Sequence, residues 1–510
     1  MSSFFKDKKQ TKTQPHVKAT PEIDQINAQF SSNLEENIET FKKALSNPSD
    51  LNTRNITIFD LQATVVFIDT MSDRMDVQKV IDDLIKSKLP LEQSLQFSFK
   101  TYTNPETVVR DCVYDILAGY AFLFLDGKDT PYSFMARKHE GRAVAPPINE
   151  QVVRGSHEGL VESLETNLFL IRKNIVSPSL TVQKIEVGKE AQKAVSIVYL
   201  TNLADETLVE DIKTRINSID IDTPFSISYI ENFIEEYTIS PFPQCLTTER
   251  VDRIAGNLME GRIAILVEGS PTALIVPVSF FAFYQSPDDY NTRFMIGSFY
   301  RLIRYIASVV AILLPATYIA LIGFHSETLP SYLIFLAKKS VETIPYGPIV
   351  EAIIVEIFIG FIREASLRLP TKISSAIGIV GALIIGDAIV QAGLVSNLMV
   401  VIVALTAISS FTIPASEMSL TVRILRFPFM ILAAFLGFYG ILIGLFVLVG
   451  HLCKLQPFGI PYLAPLTPIK WKDFKDTFAR VPIILMNERP VESRTKNIIR
   501  QGFSRWWKKE

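Results

Sequence analysis

Charged side chains interrupt a long apolar stretch of this chain, and their types and spacing could carry chemistry. Between about residues 303 and 452 nearly every residue is apolar, yet Glu351, Glu356, Arg363 and Glu364 stand among isoleucines and phenylalanines. A charge in membrane hydrocarbon costs about 2.5 kcal/mol or more, so such residues normally face protein or water and mark a route for ions. The sequence therefore predicts a membrane protein with a polar path through it, and not an enzyme.

Small and polar residues follow helical spacing in this part of the chain. Ala352, Glu356, Gly360 and the pair Arg363 and Glu364 recur at intervals of three or four, which places them on one side of a helix. Several copies around an axis would form a watery lumen ringed by carboxylates, which favours cations. Two other interpretations stay open, a helix lying in the membrane interface and buried ion pairs without transport. The candidate residues of the ion pathway are Glu351, Glu356, Gly360, Arg363 and Glu364.

A second set of candidates follows in the next apolar segment. Gly378, Ala382 and Gly386 form a ridge of small residues spaced by four, which lets two helices approach closely in lipid. Asp387 and Gln391 lie beside that ridge, again four apart. These five residues are interpreted either as a hydrogen-bonded helix contact or as a gate or ion site.

Five apolar segments must position these residues. Each is close to the ~20 residues that a bilayer requires. Gly440 and Gly444 repeat the spacing of small residues in the last segment. The segments are 305–324, 349–368, 373–392, 395–413 and 428–452.

The number of membrane crossings is not settled by these five segments. Residues 1–300 read as soluble and carry no signal peptide, so we expect them in the cytoplasm. The part after His451 is rich in lysine and arginine, which also favours the cytoplasm. Both ends on one side require an even number of crossings. The sequence therefore favours four complete crossings plus one partial or pore-lining element, either 349–368 or 395–427.

A pattern in the soluble part occurs twice and predicts two similar α/β subdomains. Each copy has a β-branched run, a polar turn and an amphipathic helix, then a helix ending in glycine, a second strand and a tight turn. Gly119 and Gly261 suit left-handed helix ends. A connecting helix is expected from about Glu158. The repeated segments are 63–87 with 115–127, and 195–219 with 257–269.

The predicted fold class is thus an α/β cytoplasmic N-terminal region followed by an all-α polytopic membrane domain. Cys112, Cys245 and Cys453 are widely spaced without a histidine pattern, so their spacing predicts neither disulfides nor a zinc site. No cofactor is predicted, and no basic stripe with interleaved aromatics indicates nucleic acid. The predicted domains are 1–50 (flexible or helical extension), 51–152 (subdomain 1), 153–190 (connecting helix region), 191–298 (subdomain 2), 299–455 (transmembrane domain) and 456–510 (basic cytoplasmic tail).

With these residues in view, the chain resembles the A subunits of GerA-type spore germinant receptors. The resemblance covers about residues 60 to 470, and the first 60 residues lie outside it. It includes PFPQCLTTERVDRIAGNLMEGRIAILVEG, EAIIVEIFIGFIREASLRLP and FGIPYLAPLTP. The blocks that carry the resemblance are 153–175, 241–277, 284–290, 351–370, 378–414 and 458–468.

The resemblance implies a location in the spore inner membrane and two kinds of partner. These are a transporter-like B subunit that senses the nutrient and a lipoprotein C subunit. It also implies a homo-oligomer, a pentamer, that forms a nutrient-gated cation channel in membrane lipid and triggers germination. The alternative is a non-conducting receptor or scaffold subunit whose cytoplasmic lobes bind a ligand or partner. A secondary transporter is a third interpretation, and the lack of an evident inverted repeat in 300–452 argues against it.

Overall fold

The structure is a computed structural model of the chain. The chain divides into two compact units, residues 1–143 with 168–184, and residues 144–167 with 185–510. Each unit contains one β-sheet core, and the apolar helices belong to the second unit. The residues that the structure describes are 29–58, 61–86, 99–102, 108–138, 146–328, 330, 332, 335, 344–368 and 386–502.

Two five-stranded antiparallel sheets with the same topology confirm the predicted duplication. The first has the order β1-β2-β4-β5-β3 and the second β6-β7-β9-β10-β8, so strands pair in the same sequence in both. The first sheet contains Leu51–Ile58 (β1), Leu61–Ile68 (β2), Lys100–Thr101 (β3), Tyr120–Leu125 (β4) and Tyr132–Met135 (β5). The second contains Leu180–Val187 (β6), Lys193–Leu200 (β7), Leu246–Thr248 (β8), Ile263–Val267 (β9) and Ala273–Val276 (β10).

Amphipathic helices cover these sheets, as the periodicity of the two repeats predicts. In the second repeat the Asp205 side chain caps a helix by accepting from the Thr207 N–H. Gly119 and Gly261 have φ angles of +96° and +93°, which confirms the predicted left-handed helix ends. The helices are Leu34–Ala44 (α1), Arg74–Lys86 (α2), Val108–Leu117 (α3), Leu164–Asn174 (α4), Glu206–Asn217 (α5), Ile227–Ile234 (α6), Val251–Met259 (α7) and Pro287–Asn291 (α8). Residues 185–277 are called the second lobe below.

The connecting helix α4 begins later than the apolar stripe predicts. It starts at Leu164, and the preceding residues run extended along the turn before α7. There the Leu160 N–H donates to the Glu249 carbonyl at 2.7 Å. The Asn167 amide further fixes Val161 by donating to its carbonyl at 2.6 Å. Tertiary hydrogen bonds therefore override the helical pattern over these residues.

Apolar helices form the rest of the second unit, which confirms the predicted fold class. By length and composition alone, α9 and α12 are the two helices of the described chain able to cross a membrane. Residues 386–391 are also helical. The bounds are Phe294–Gly323 (α9), Pro348–Arg368 (α10), Asn397–Phe411 (α11), Ser416–Leu436 (α12) and Phe438–Lys454 (α13).

The last predicted segment, 428–452, is two helices rather than one. The break is at Gly437, whose φ of +60° and ψ of −138° are a conformation that only glycine adopts readily. An ideal Cβ on Gly440 would lie 2.0 Å from the Leu432 carbonyl oxygen, so α13 folds back closely against α12. The sequence did not predict this hairpin because the residues on both sides of Gly437 are equally apolar. The close helix contact that the small residue Gly440 predicts is present, and it is made between α13 and α12.

Replacing Gly440 with alanine should disrupt the α12–α13 hairpin. The added methyl group would overlap the Leu432 carbonyl, and overpacking of this kind costs about 1–3 kcal/mol. Gly450→Ala is the matched control, because an ideal Cβ there meets no atom within 4 Å. We expect a lower thermal unfolding midpoint for Gly440→Ala in detergent and no decrease for Gly450→Ala. Equal midpoints for the two variants would contradict this interpretation of the hairpin.

Candidate functional site

A buried ion pair joins the apolar helices at their centre. Glu356 on α10 accepts a hydrogen bond from Arg426 on α12, and the two side chains are 8% and 3% exposed. Arg426 also donates from Nε to the Ala311 carbonyl of α9 at 2.9 Å. Its Nη2 approaches the Thr406 carbonyl of α11 at 3.5 Å. One guanidinium thus links four helices around a carboxylate.

Arg426 is the functional residue that the sequence reasoning missed. The predicted last apolar segment starts at 428, so it does not include this arginine. The structure places Arg426 inside α12, ten residues after the helix begins at Ser416. The available signal was an arginine next to an apolar run, because such a side chain needs a buried acidic partner.

Glu351 lies at the N-terminus of α11, where a helix favours negative charge. It is fully buried, and one carboxylate oxygen accepts from the Ser396 N–H at 2.6 Å and from the Ser396 hydroxyl. The Tyr318 hydroxyl lies 3.4 Å from the Ser396 hydroxyl. Within the part of the chain that the structure covers, the other oxygen, Oε2, has no hydrogen-bond donor.

Of the remaining candidates on α10, Gly360 and Glu364 point away from the bundle, whereas Arg363 contacts α11. Gly360 and Glu364 are exposed, and an ideal Cβ on Gly360 meets no atom within 4 Å. Glu364 pairs with Arg368 at 2.6 Å, one turn along the helix. Arg363 stacks over the Phe411 ring at 5.5 Å. The predicted stripe is therefore divided, with Glu356 inside the bundle and Gly360 and Glu364 on its outer face.

The second set of candidates is described only in part. Gly378 and Ala382 lie outside the described residues. Asp387 accepts from the Gln391 amide at 2.6 Å, while an ideal Cβ on Gly386 meets no described atom within 4 Å. The two interpretations of these residues, a hydrogen-bonded helix contact and a gate or ion site, both stay predictions.

The segment 456–502, predicted as a basic tail, is part of the second unit and packs within it. Tyr462 is fully buried and donates to the Pro243 carbonyl at 2.7 Å. Glu492 accepts from Arg262 at 2.8 Å. Burial raises the pKa of the Glu492 carboxyl, and the Arg262 guanidinium opposes that shift. The local charge pattern could not predict these contacts, because the partners are more than 200 residues apart in the sequence.

The first apolar helix is fastened to the same segment. The Asp289 carboxylate on α8 accepts hydrogen bonds from two arginines of α9. The donors are Arg301 Nε at 3.1 Å and Arg304 Nη2 at 2.8 Å. Arg301 also donates to the Asp476 carboxylate at 2.8 Å. Arg301 and Asp289 are almost completely buried, so their charges are compensated in place.

The second lobe contacts the start of α12 and the end of α13. The Thr247 hydroxyl donates to Glu417 at 2.8 Å, and Ser240 lies 2.9 Å from His451 Nε2. At the opposite end of the bundle, His325 packs on the Phe438 ring at a centroid distance of 5.0 Å. The helices α12 and α13 therefore connect the lobe to the far end of the bundle.

Comparisons with known proteins identify what the chain resembles. Residues 39–492 match the family described as Bacillus/Clostridium GerA spore germination protein. Spore germination protein KA of Bacillus subtilis (strain 168) is 36% identical over 93% of this chain and 89% of that protein. Spore germination protein B1 of the same organism is 35% identical over 93% of this chain and 100% of that protein.

A relative from another species and one solved structure were also found. Spore germination protein GerLA of Bacillus cereus is 34% identical, covering 92% of this chain and 97% of that protein. The N-terminal domain of the A subunit of the Bacillus megaterium spore germinant receptor GerK3 is 27% identical. It covers 50% of this chain and 98% of that chain with a TM-score of 0.38.

Proposed function

The chain belongs to the GerA family of spore germination proteins, and from that premise we propose that it is a germinant receptor A subunit forming a nutrient-gated cation channel. The channel is an oligomer, a pentamer, in the spore inner membrane. It works with a transporter-like B subunit and a lipoprotein C subunit. The observation that supports the proposal is that α10 carries charged residues among apolar ones, with Glu356 held inside the bundle by Arg426 and Glu364 exposed on the outer face.

The outer face of α10 is the part of this helix that we propose as the wall of the conduit, because its residues are exposed. Glu356 is neutralised by Arg426 inside each subunit, so it fixes α10 and does not contribute a free carboxylate. The outer face presents Gly360 and Glu364, beside the apolar Ile357 and Phe361. In a ring of subunits this face lines the passage. Glu364 forms an ion pair with the exposed Arg368, so a ring of subunits would line the passage with both acidic and basic groups.

Contacts between helices give the relative direction of α10 and α11. The two run side by side in one direction, because Glu351 meets Ser396 near their first turns and Arg363 meets Phe411 near their last. The chain reverses direction between α12 and α13, at Gly437. The number of crossings stays a prediction: four complete crossings plus one partial or pore-lining element, either 349–368 or 395–427.

A second candidate function is supported by a small cavity. It has a volume of about 100 Å³ and lies between the second lobe and the loop before α12. Its polar lining includes Glu150, Thr247, Thr248, Ser416 and Glu417. In this alternative the lobe binds a small ligand or partner and the subunit does not conduct.

Current recording separates the two functions. We expect the purified receptor, reconstituted into a planar bilayer as the A, B and C subunits together, to conduct monovalent cations when a nutrient panel is added. Bilayers with the B and C subunits alone are the control. A complex that binds nutrient yet passes no current would refute the channel and favour the non-conducting subunit.

A further inference from the structure

Two carboxylates and a thiol converge in the second lobe, away from the residues of the proposed conduit. Glu231 lies on α6, and Glu235 follows one turn later at the end of that helix. Cys245 immediately precedes β8. One carboxylate oxygen from each glutamate and the cysteine sulfur all lie within 4.8 Å of one another.

The cysteine is buried and lacks a polar partner. Cys245 is 0% exposed, and its sulfur has no hydrogen bond among the residues for which coordinates are described. The loop that presents it is rigid, because the Gln244 side chain accepts from the Glu236 and Tyr237 N–H groups, each at 3.2 Å. Glu235 accepts from the Gln244 N–H at 3.1 Å. The thiol is therefore directed at the carboxylates by the fold.

The acidic groups of this cluster outnumber the cations beside it. Burial, together with the charges of Glu417 and Glu235, raises the pKa of Glu231 to about 9. Arg215 is a nearby cation, but it already binds Glu236 at 2.6 Å and Asp211 at 2.8 Å. A metal ion bound here would replace the protons of these acidic groups and balance their charge.

We propose that Glu231, Glu235 and Cys245 bind a divalent transition metal of the zinc class. Zinc takes thiolate and carboxylate ligands at about 2.0–2.3 Å, so its ligand atoms lie within about 4 Å of one another and a small closure of this cluster suffices. The sulfur ligand selects zinc over magnesium or calcium. The fourth position is left for water or for Glu417, which approaches from α12. The site would then stabilise the junction between the second lobe and α12.

Metal content and cobalt spectroscopy test the site in the purified full-length chain. The background carries Cys453→Ser, which removes the exposed thiol. We expect one zinc per chain, and with cobalt a thiolate-to-metal charge-transfer band that Cys245→Ser abolishes. Cys112→Ser, which replaces a buried cysteine on α3 of the first unit, is the control and should change neither. Glu231→Gln or Glu235→Gln should weaken zinc binding at least tenfold, since even a residue that only orients a metal ligand changes affinity by about 10- to 100-fold.

Thermal unfolding gives a second test. It is measured on the protein with an intact site, so it does not depend on whether the variants fold. Chelation should lower the unfolding midpoint of the protein with Cys245 and both glutamates intact, and added zinc should restore it, because a ligand specific for the folded state stabilises that state. An unchanged midpoint with no bound zinc and no cobalt band would overturn the proposal and leave a cluster of protonated carboxyls. Retention of zinc by the Cys245→Ser and Glu231→Gln variants would overturn it as well. Neither result depends on channel activity.

Discussion

Arg426→Leu should be the most destabilising substitution in the apolar helices. It leaves the Glu356 carboxylate buried without a partner and removes the hydrogen bonds to the Ala311 and Thr406 carbonyls. Breaking a buried ion pair by removing one member costs about 3–5 kcal/mol. We expect a large fall in the thermal unfolding midpoint in detergent and in the amount of receptor in the spore membrane.

A double-mutant cycle distinguishes a structural pair from an ion site. The variant Glu356→Gln with Arg426→Leu should recover most of the lost stability, because neither charge then remains buried. If the pair only fixes α10, nutrient-triggered cation release should recover with it. Recovery of stability without recovery of release would assign a direct role in conduction to Glu356. A single Arg426→Leu variant of normal stability would show that the helices do not depend on this pair.

Gly360→Leu should abolish cation release while leaving the subunit intact. An ideal Cβ at this position meets no atom within 4 Å, so the larger side chain has space within one subunit. Leucine also favours a helix more than glycine does. Around a shared axis, five leucines would narrow a passage whose conduction depends on its width, and we expect release to fall by roughly tenfold or more.

Gly450→Leu is the matched control for this experiment. Gly450 lies in α13 with equally open surroundings, but on a helix outside the proposed conduit. We expect spores carrying it to release monovalent cations normally at equal receptor level. Normal release from the Gly360→Leu spores would exclude the outer face of α10 as the conduit. Equal loss in both variants would point instead to disturbed packing in the membrane.

Much of the α/β region could be predicted because its signals are local. A strand period, a helix period and a glycine such as Gly119 or Gly261 each act over a few residues, and all of them occur twice. The late start of α4 escaped prediction because hydrogen bonds to Glu249 override the local pattern. Three strands of each sheet were not predicted, because pairing is a property of the whole sheet; they are β1, β3 and β5 in the first sheet and β6, β8 and β10 in the second.

The candidate site was less predictable because its chemistry depends on pairing between distant residues. Periodicity placed Glu356 and Gly360 on one stripe, but it could not show that Arg426, seventy residues later, draws Glu356 inward. Gly437 is one glycine among many apolar residues, so its turn was not visible before the backbone angles were known. Cys245 likewise acquires its carboxylate neighbours only through the fold.

The contact between Arg262 and Glu492 has a consequence for how the chain is made. These partners are separated by 230 positions, and all of α9–α13 lies between them. Tyr462 and Pro243 repeat the same arrangement. All of α9–α13 must therefore be synthesised before this lobe receives its last stabilising contacts. A nascent chain that stalls before that point presents an incomplete surface, which gives quality-control proteases a means of recognising it.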